Sequence, residues 1–246
     1  MLFKPLLVCV ALLAACTPAT VPSGKANLKE IAAARAEVEK LAKNGTLARF
    51  DSVVKRVVPV AERQCRARTQ GVKCRLRVSL DVNPAEPPNA FQTLDGADRP
   101  VIVFTIALLE DTRNADELAL ILGHEAAHHI LGHVLATREQ IRESALLRGM
   151  QAAAHGGNKK QIEAAEQKGA ISAILKYSKA YEIKADELGT IIAARAGFDP
   201  VHGAEYFVRM KNPGNQFLTT HPPNRARRAV VRATARKLRA GIGSQQ

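Results

Sequence analysis

The sequence of 246 residues has no tryptophan and few aromatic residues, which make up 4% of the chain. It has no internal repeat, and after Cys16 no apolar segment is long enough to cross a lipid bilayer. A protein with several membrane-spanning helices is therefore not expected. The hydrophobic content of 46% and the charged content of 24% are ordinary for a globular protein, and the length suits one domain with a substantial core.

Acidic residues are scarce, with 23 Asp and Glu against 36 Lys and Arg and a net charge of +13. The basic excess lies in two segments. Residues 55–77 carry eight basic residues and the single acid Glu62, and residues 209–239 carry nine basic residues and no acid. Such segments contact nucleic acid, anionic membranes or acidic partners, or they form solvated helix faces. The compartment in which the protein works decides between these alternatives.

The first residues indicate that compartment. Residues 1–15 combine an early lysine, a short apolar run and the small residues Ala14 and Ala15 at their end, which is the plan of a signal peptide. The sequence LAAC, which ends at Cys16, resembles the bacterial lipobox, in which the cysteine becomes the lipidated first residue of the mature protein; an ordinary secretory signal is the alternative. Thr17 favours, by the same resemblance, sorting to the outer membrane. We therefore predict a signal peptide at 1–15, a lipidated Cys16 with a flexible tether to residue 26, and a periplasmic domain anchored at the inner leaflet of the outer membrane. Anionic lipid is then an expected partner and nucleic acid is not.

The cysteines agree with an oxidising compartment. Cys9 leaves with the signal peptide and Cys16 is the predicted anchor, so that Cys65 and Cys74 remain as an even pair. We predict a disulfide between them that closes a short loop. Two zinc-binding thiols are the alternative, but the further ligands of a closed site are missing.

The periodicity of the remaining chain, residues 27–246, predicts one domain that is mostly helical with one small sheet. Residues 75–82 alternate strictly and predict a half-buried strand, and residues 91–93 and 101–105 predict a hairpin around Asp95-Gly96. The predicted helices cover residues 28–43, 46–66, 115–138, 161–195 and 200–210. The fold class is therefore α+β.

The predicted helix at 115–138 contains the segment ILGHEAAHHILGH, with four histidines and one glutamate. At about 100° per residue, His128 lies about 40° from His124, whereas His129 and His133 lie at about 140° and 180°. One metal ion can therefore use only one of the two pairs. Glu125 accompanies the first pair in the arrangement H-E-x-x-H, in which two imidazoles bind zinc and the glutamate acts on water as a general base. For His129 and His133, packing or surface roles are favoured.

A catalytic zinc site needs a further protein ligand and keeps one open position. The segment YEIKADELG offers Glu182 and Asp186, which share one helix face. Glu182 is a candidate ligand, and Asp186 is a candidate acceptor for the N–H of a ligand histidine. By spacing alone, a solvated acidic face paired with Lys179 or Lys184 explains these residues as well.

Four segments in order, NAFQT to LGHEAAHHILGH, YEIKADELG, AGFDP and THPPNRAR, resemble the HtpX-like metallopeptidases. This family includes the CAAX prenyl proteases and the periplasmic LoiP- and BepA-type lipoprotein peptidases. The resemblance covers about residues 89–228 and implies a zincin-like (gluzincin) fold with a small sheet beside the H-E-x-x-H helix. It implies one zinc ion per subunit, held by the ligands His124, His128 and Glu182. It also implies that Glu125 is the catalytic glutamate and that Asp186 is the partner of His124. His221 and Arg227 are expected near the zinc and the transition state. His133 corresponds to a histidine that does not bind the metal.

From these residues we expect a zinc endopeptidase that cleaves misfolded or envelope polypeptides in outer-membrane quality control. The multi-spanning members have transmembrane helices that this sequence lacks, so a compact LoiP-like catalytic domain is expected rather than a prenyl protease. The alternative is a non-catalytic, chaperone-like lipoprotein that keeps zinc for structure. Glu125 argues against it, because a structural site needs no base.

Overall fold

The computed structural model describes residues 28–210 and 223–241, and this part of the chain is mostly helical. The predicted signal peptide, Cys16, the tether and His221 lie outside the described residues. The helices are α1 (Leu28–Lys43), α2 (Thr46–Arg68), α3 (Ile106–Asp111), α4 (Ala115–Ile130), α5 (His133–Ala154), α6 (Lys159–Arg195), α7 (Pro200–Gly203), α8 (Tyr206–Arg209) and α9 (Asn224–Arg239). The strands are β1 (Arg77–Asp81), β2 (Ala90–Leu94) and β3 (Pro100–Thr105).

The three strands form one sheet in the order β1-β3-β2. β2 and β3 pair antiparallel, with Phe91 opposite Val103, and the predicted hairpin is confirmed. β1 joins the other side of β3 in parallel, with Val78 opposite Ile102. Ile102 and Phe104 of β3 are fully buried, because β3 is the central strand and packs against the helices. The sheet is thus small and lies beside α4, as the resemblance implies.

Helices α4 and α6 cross at two glycines, Gly123 and Gly189. A Cβ on Gly123 would lie 2.7 Å from the carbonyl oxygen of Gly189, and a Cβ on Gly189 would lie 2.7 Å from the backbone nitrogen of His124. Real Cβ atoms do not approach other atoms so closely, so both positions require glycine for this crossing. The close approach brings the segments HEAAH and YEIKAD face to face.

The start of α4 is held by a side-chain cap and by a buried ion pair. Asn114 caps the helix, because its side chain accepts a hydrogen bond from Glu117 N at 2.9 Å. Glu117 does not complete a capping box, however. Its carboxylate is buried, accepts from Arg113 N at 2.8 Å, and binds both terminal nitrogens of Arg209 at 2.7 Å.

The predicted single helix at 115–138 is wrong in its second half. α4 ends at Ile130, and α5 starts at His133 after a turn in which Gly132 has φ +68°. Glycine adopts this left-handed conformation without steric cost, and a positive φ at this point stops a helix. The break changes the direction of the chain immediately before His133, so the wheel position predicted for that histidine does not apply.

Cys65 and Cys74 form the predicted disulfide, with their Cα atoms 5.6 Å apart. It links the end of α2 to the segment before β1. Among the described residues, no helix has the length and apolar character needed to cross a membrane.

Candidate metal centre

Three side chains from α4 and α6 converge at the crossing of the two helices. His124 Nε2 lies 3.0 Å from His128 Nε2, and the Glu182 carboxylate oxygens lie 3.5 Å from His124 Nε2 and 3.3 Å from His128 Nε2. His124 and Glu182 are buried and His128 is half-buried. The structure therefore brings together the three predicted ligands, which come from segments more than fifty residues apart.

The separations between these atoms fit one small cation. Around a tetrahedral zinc, ligand atoms at roughly 2.0–2.2 Å from the metal are roughly 3.3–3.5 Å from one another. The three observed separations of 3.0, 3.3 and 3.5 Å are close to this range. Two imidazoles and one carboxylate are a donor set of catalytic zinc sites, in which three protein ligands leave one position for water or substrate.

Asp186 and Arg227 lie behind the ring of His124. Asp186 Oδ1 is 2.9 Å from His124 Nδ1, and Arg227 of α9 donates to both oxygens of Asp186 at 2.7 and 2.8 Å. Asp186 is fully buried and Arg227 is 5% exposed. Burial alone would raise the pKa of Asp186, but the charge and hydrogen bonds of Arg227 outweigh it and lower that pKa. Asp186 therefore stays ionised and accepts the His124 N–H, which leaves Nε2 as the metal-binding nitrogen.

This geometry refines the expectation for Arg227. Its guanidinium is 3.3 Å from His124 Nδ1 and 3.8 Å from Glu182, so it is close to the three ligands. It also packs 4.1 Å over the ring of Phe207. Its two bonds to Asp186 place it on the buried side of His124, where it holds the ligand set in position.

His133 lies behind the ring of His128, as Asp186 lies behind the ring of His124. His133 Nδ1 is 3.1 Å from His128 Nδ1, and its ring stacks on Tyr181 with centroids 4.3 Å apart. His133 is 4% exposed, and burial together with the nearby His128 lowers its pKa to about 3. A neutral His133 accepts the N–H of His128, whose Nε2 then points to the cluster. The prediction that placed His133 on the far side of the helix was wrong because the helix breaks at Gly132. That glycine is the feature of the sequence that could have indicated the break.

His129 remains apart from the cluster. Its Nε2 lies 2.8 Å from the carbonyl oxygen of Lys73, to which it donates. It thereby ties α4 to the loop that the disulfide closes. Of the four histidines of the segment, His124 and His128 face the cluster, His133 supports it and His129 packs elsewhere.

The cluster concentrates negative charge for a cation. Without a metal, burial by itself lowers the pKa of His124, but the charge of Glu182 and the bond to Asp186 outweigh it and raise that pKa to about 10, so that a positive charge is favoured at this position. Glu125 follows His124 on α4 and is half-buried, and this burial raises the pKa of its carboxyl group. A carboxyl group with a raised pKa beside a cation site suits proton transfer to and from water.

Comparisons with known proteins agree with this geometry. The sequence model of peptidase family M48 matches residues 50–235. The mitochondrial metalloendopeptidase OMA1 of Arabidopsis thaliana is 28% identical to the chain over 138 residues, which is 53% of this chain and 27% of OMA1. The similar region thus spans about a quarter of the length of that relative.

Proposed function

The chain belongs to peptidase family M48 and is therefore a metallopeptidase with a zincin-type fold, and we propose that its metal is zinc and that it cleaves within polypeptide chains. The observation that carries this proposal is the cluster of His124, His128 and Glu182 with Glu125 in the H-E-x-x-H position. An endopeptidase is also what the name of OMA1 describes for that relative.

The residues have distinct roles in this proposal. Zinc, when bound by the three ligands, supplies the Lewis acidity that lowers the pKa of water and polarises the peptide carbonyl. Glu125 accepts the proton of the attacking water and delivers it to the leaving amine nitrogen. Asp186 and His133 fix the tautomers of His124 and His128, and Arg227 fixes Asp186.

An extended polypeptide is the substrate that the sheet suits. In the part of the chain that the structure describes, β2 pairs with β3 on one side and no strand covers its other side. β2 also lies against α4, the helix of the metal ligands. A substrate strand that pairs with this edge would present its peptide bonds beside the cluster. Misfolded envelope proteins offer such extended segments, and we propose them as the substrate class.

Two substitutions test the proposed chemistry. Glu125→Gln removes the base and keeps the ligands, so we expect cleavage of casein to fall by about 10²- to 10⁴-fold while bound zinc stays at the wild-type amount. Glu182→Ala removes a ligand, and we expect both zinc and activity to be lost. His129→Ala is the matched control on α4 and should retain both. Full cleavage by Glu125→Gln would contradict the role of Glu125, and wild-type zinc in Glu182→Ala would show that another residue is the third ligand.

The same assays address the non-catalytic alternative. A chaperone-like lipoprotein with structural zinc would leave casein intact, and removal of the metal by a chelator would unfold it. We expect instead that the wild-type protein cleaves casein, that a chelator stops cleavage, and that added zinc restores it.

We further propose that Cys16 anchors the protein by lipid in the periplasm, at the outer membrane. The sequence LAAC supports this proposal by its resemblance to the lipobox. Stable anchoring takes more than one acyl chain, which the multiply acylated cysteine of such lipoproteins supplies. Cys16→Ala should release the protein into the soluble periplasmic fraction. Retention of that variant in the membrane fraction at high salt would contradict the lipid anchor.

A further inference from the structure

The two basic segments of the sequence differ in the groups that surround their basic side chains. In residues 55–77, acids or backbone carbonyls accompany several of the basic side chains. The observed pairs are Lys55 with Asp51 at 2.6 Å, Arg66 with Glu62 at 3.5 Å, Arg77 with Asp95 at 3.4 Å, and Lys73 with the carbonyl oxygen of Ala97 at 2.6 Å. Three of the eight basic residues of this segment therefore pair with an acid, and Lys73 donates to a neutral carbonyl oxygen.

Helix α9 differs because its arginines form one row. At about 100° per residue, five arginines lie between about 100° and 180° from Arg227, an arc of about 80°. These five residues are called the arginine stripe, and they are Arg225, Arg228, Arg232, Arg236 and Arg239. The stripe is roughly 21 Å long at 1.5 Å per residue. Four of its members are exposed and Arg228 is half-buried.

The stripe has little neutralising charge. Glu205 lies 3.0 Å from Arg228 and 3.7 Å from Arg232. Among the residues that the structure describes, no ion pair joins Arg225, Arg236 or Arg239 to an acid. The segments outside the described residues, 1–27, 211–222 and 242–246, contain no Asp or Glu. The side chains of this protein therefore leave most of the stripe unbalanced, and an external anion is needed to neutralise it.

We propose that the arginine stripe docks the protein on an anionic lipid surface. A flat layer of anionic headgroups meets the four exposed guanidinium groups at once, because they face one direction along α9. Ala229 is the apolar residue between them, so the helix lies on the headgroups and does not insert into the acyl region. α9 contains no aromatic side chain of the kind that stacks on bases of single-stranded nucleic acid.

The position of the stripe is compatible with an accessible metal centre. Arg227 on the opposite face of α9 is buried against Asp186, behind His124. A lipid surface on the stripe would therefore lie on the far side of α9 from the metal ligands. This inference does not depend on the proposed peptidase activity, because it rests on the charges of α9 alone.

The test uses the full chain with Cys16→Ser, so that no acyl group contributes, and vesicles of phosphatidylcholine with or without phosphatidylglycerol. In this background, the stripe variant replaces Arg225, Arg232, Arg236 and Arg239 by Gln, and Arg228 is kept because it pairs with Glu205. Each basic residue near an anionic bilayer contributes about fivefold to binding, so we expect the variant to bind the mixed vesicles more than about 100-fold more weakly. Wild-type binding should fade at high salt, since the Debye length is then only a few ångströms.

Two controls keep the result interpretable. The first replaces four exposed basic residues of α2, Lys55, Arg63, Arg66 and Arg68, by Gln, which removes the same charge from a different face and should preserve most of the binding. The second replaces the four stripe arginines by Lys and should bind as the wild type does. Thermal unfolding of each variant verifies that it is folded.

Three results of the vesicle assay would overturn the proposal. These are unchanged binding by the folded stripe variant, an equal loss in the α2 variant, and equal binding of the wild type to vesicles without phosphatidylglycerol. Single-stranded RNA and an acidic polypeptide are added as competitors at physiological salt. If either displaces the protein from the vesicles at concentrations below that of the lipid, the stripe serves that polyanion instead and the lipid proposal is wrong.

Discussion

His133 provides the sharpest test of how the metal centre is supported. Its Nδ1 is the acceptor for the Nδ1–H of His128, and its ring stacks on Tyr181. These two contacts can be removed one at a time. His133→Phe keeps an aromatic ring on Tyr181 and removes the acceptor. His133→Asn places a polar atom near the position of Nδ1 and removes the stack.

The expected loss follows from what His133→Phe leaves behind. The Nδ1–H of His128 would be half-buried with no partner, and such a group costs about 1–3 kcal/mol. Removal of a residue that supports a metal ligand typically lowers metal affinity by about 10- to 100-fold, which is the same range of free energy. We therefore expect zinc affinity to fall by about 10- to 100-fold in His133→Phe. In His133→Asn we expect zinc affinity near that of the wild type, with a lower melting temperature.

The assay is competition for zinc against a chromophoric chelator, together with thermal unfolding of the metal-free protein. A merely structural role for His133 would make affinity and stability fall together in both variants, whereas a positioning role separates them. His129→Phe is the matched control, because His129 contacts the Lys73 carbonyl and none of the three ligands. Wild-type zinc affinity in a folded His133→Phe protein would refute the reasoning.

Three further variants test the packing of the fold. Gly189→Ala places a Cβ 2.7 Å from His124 N, so we expect α4 and α6 to separate. The free energy of unfolding should fall by about 1–3 kcal/mol, measured by denaturant unfolding. Zinc binding should also weaken, measured by chelator competition. Glu117→Ala leaves the Arg209 guanidinium without its carboxylate partner, and we expect the free energy of unfolding to fall by about 3 kcal/mol. A change below a tenth of that value would contradict a stabilising role for this buried ion pair. Removal of the disulfide by Cys65→Ser and Cys74→Ser should cost about 2–3 kcal/mol with zinc stoichiometry unchanged, since neither Cys65 nor Cys74 belongs to the cluster of His124, His128 and Glu182.

The ligand residues could be predicted because their pattern is local. His124 and His128 are four residues apart on one helix, and a glutamate beside the first histidine gives a recognisable arrangement. Glu182 and Asp186 share the same four-residue spacing, but spacing alone did not distinguish ligands from a solvated acidic face. The resemblance made that choice, and the geometry agrees with it.

The support of the ligands by His133 and by the bond from Arg227 to Asp186 could not be predicted, because it depends on tertiary packing. The role of His133 depends on a helix break at Gly132, which places the histidine beside His128 rather than opposite His124. The salt bridge from Arg227 to Asp186 joins residues 41 positions apart on two helices. Periodicity describes the face of a single helix, and neither contact lies on a single helix.

The two faces of α9 connect the metal centre to the proposed docking of the protein. The inner face holds Arg227 on Asp186, and the outer face carries the arginine stripe. Because the stripe and Arg227 lie on different faces of α9, we expect a lipid surface on the stripe to leave the spacing of the ligands and the tautomer of His124 unchanged. Lipid should therefore not alter the turnover of a soluble peptide. It should instead raise the rate for a polypeptide bound to the same surface, because docking concentrates enzyme and substrate on one plane.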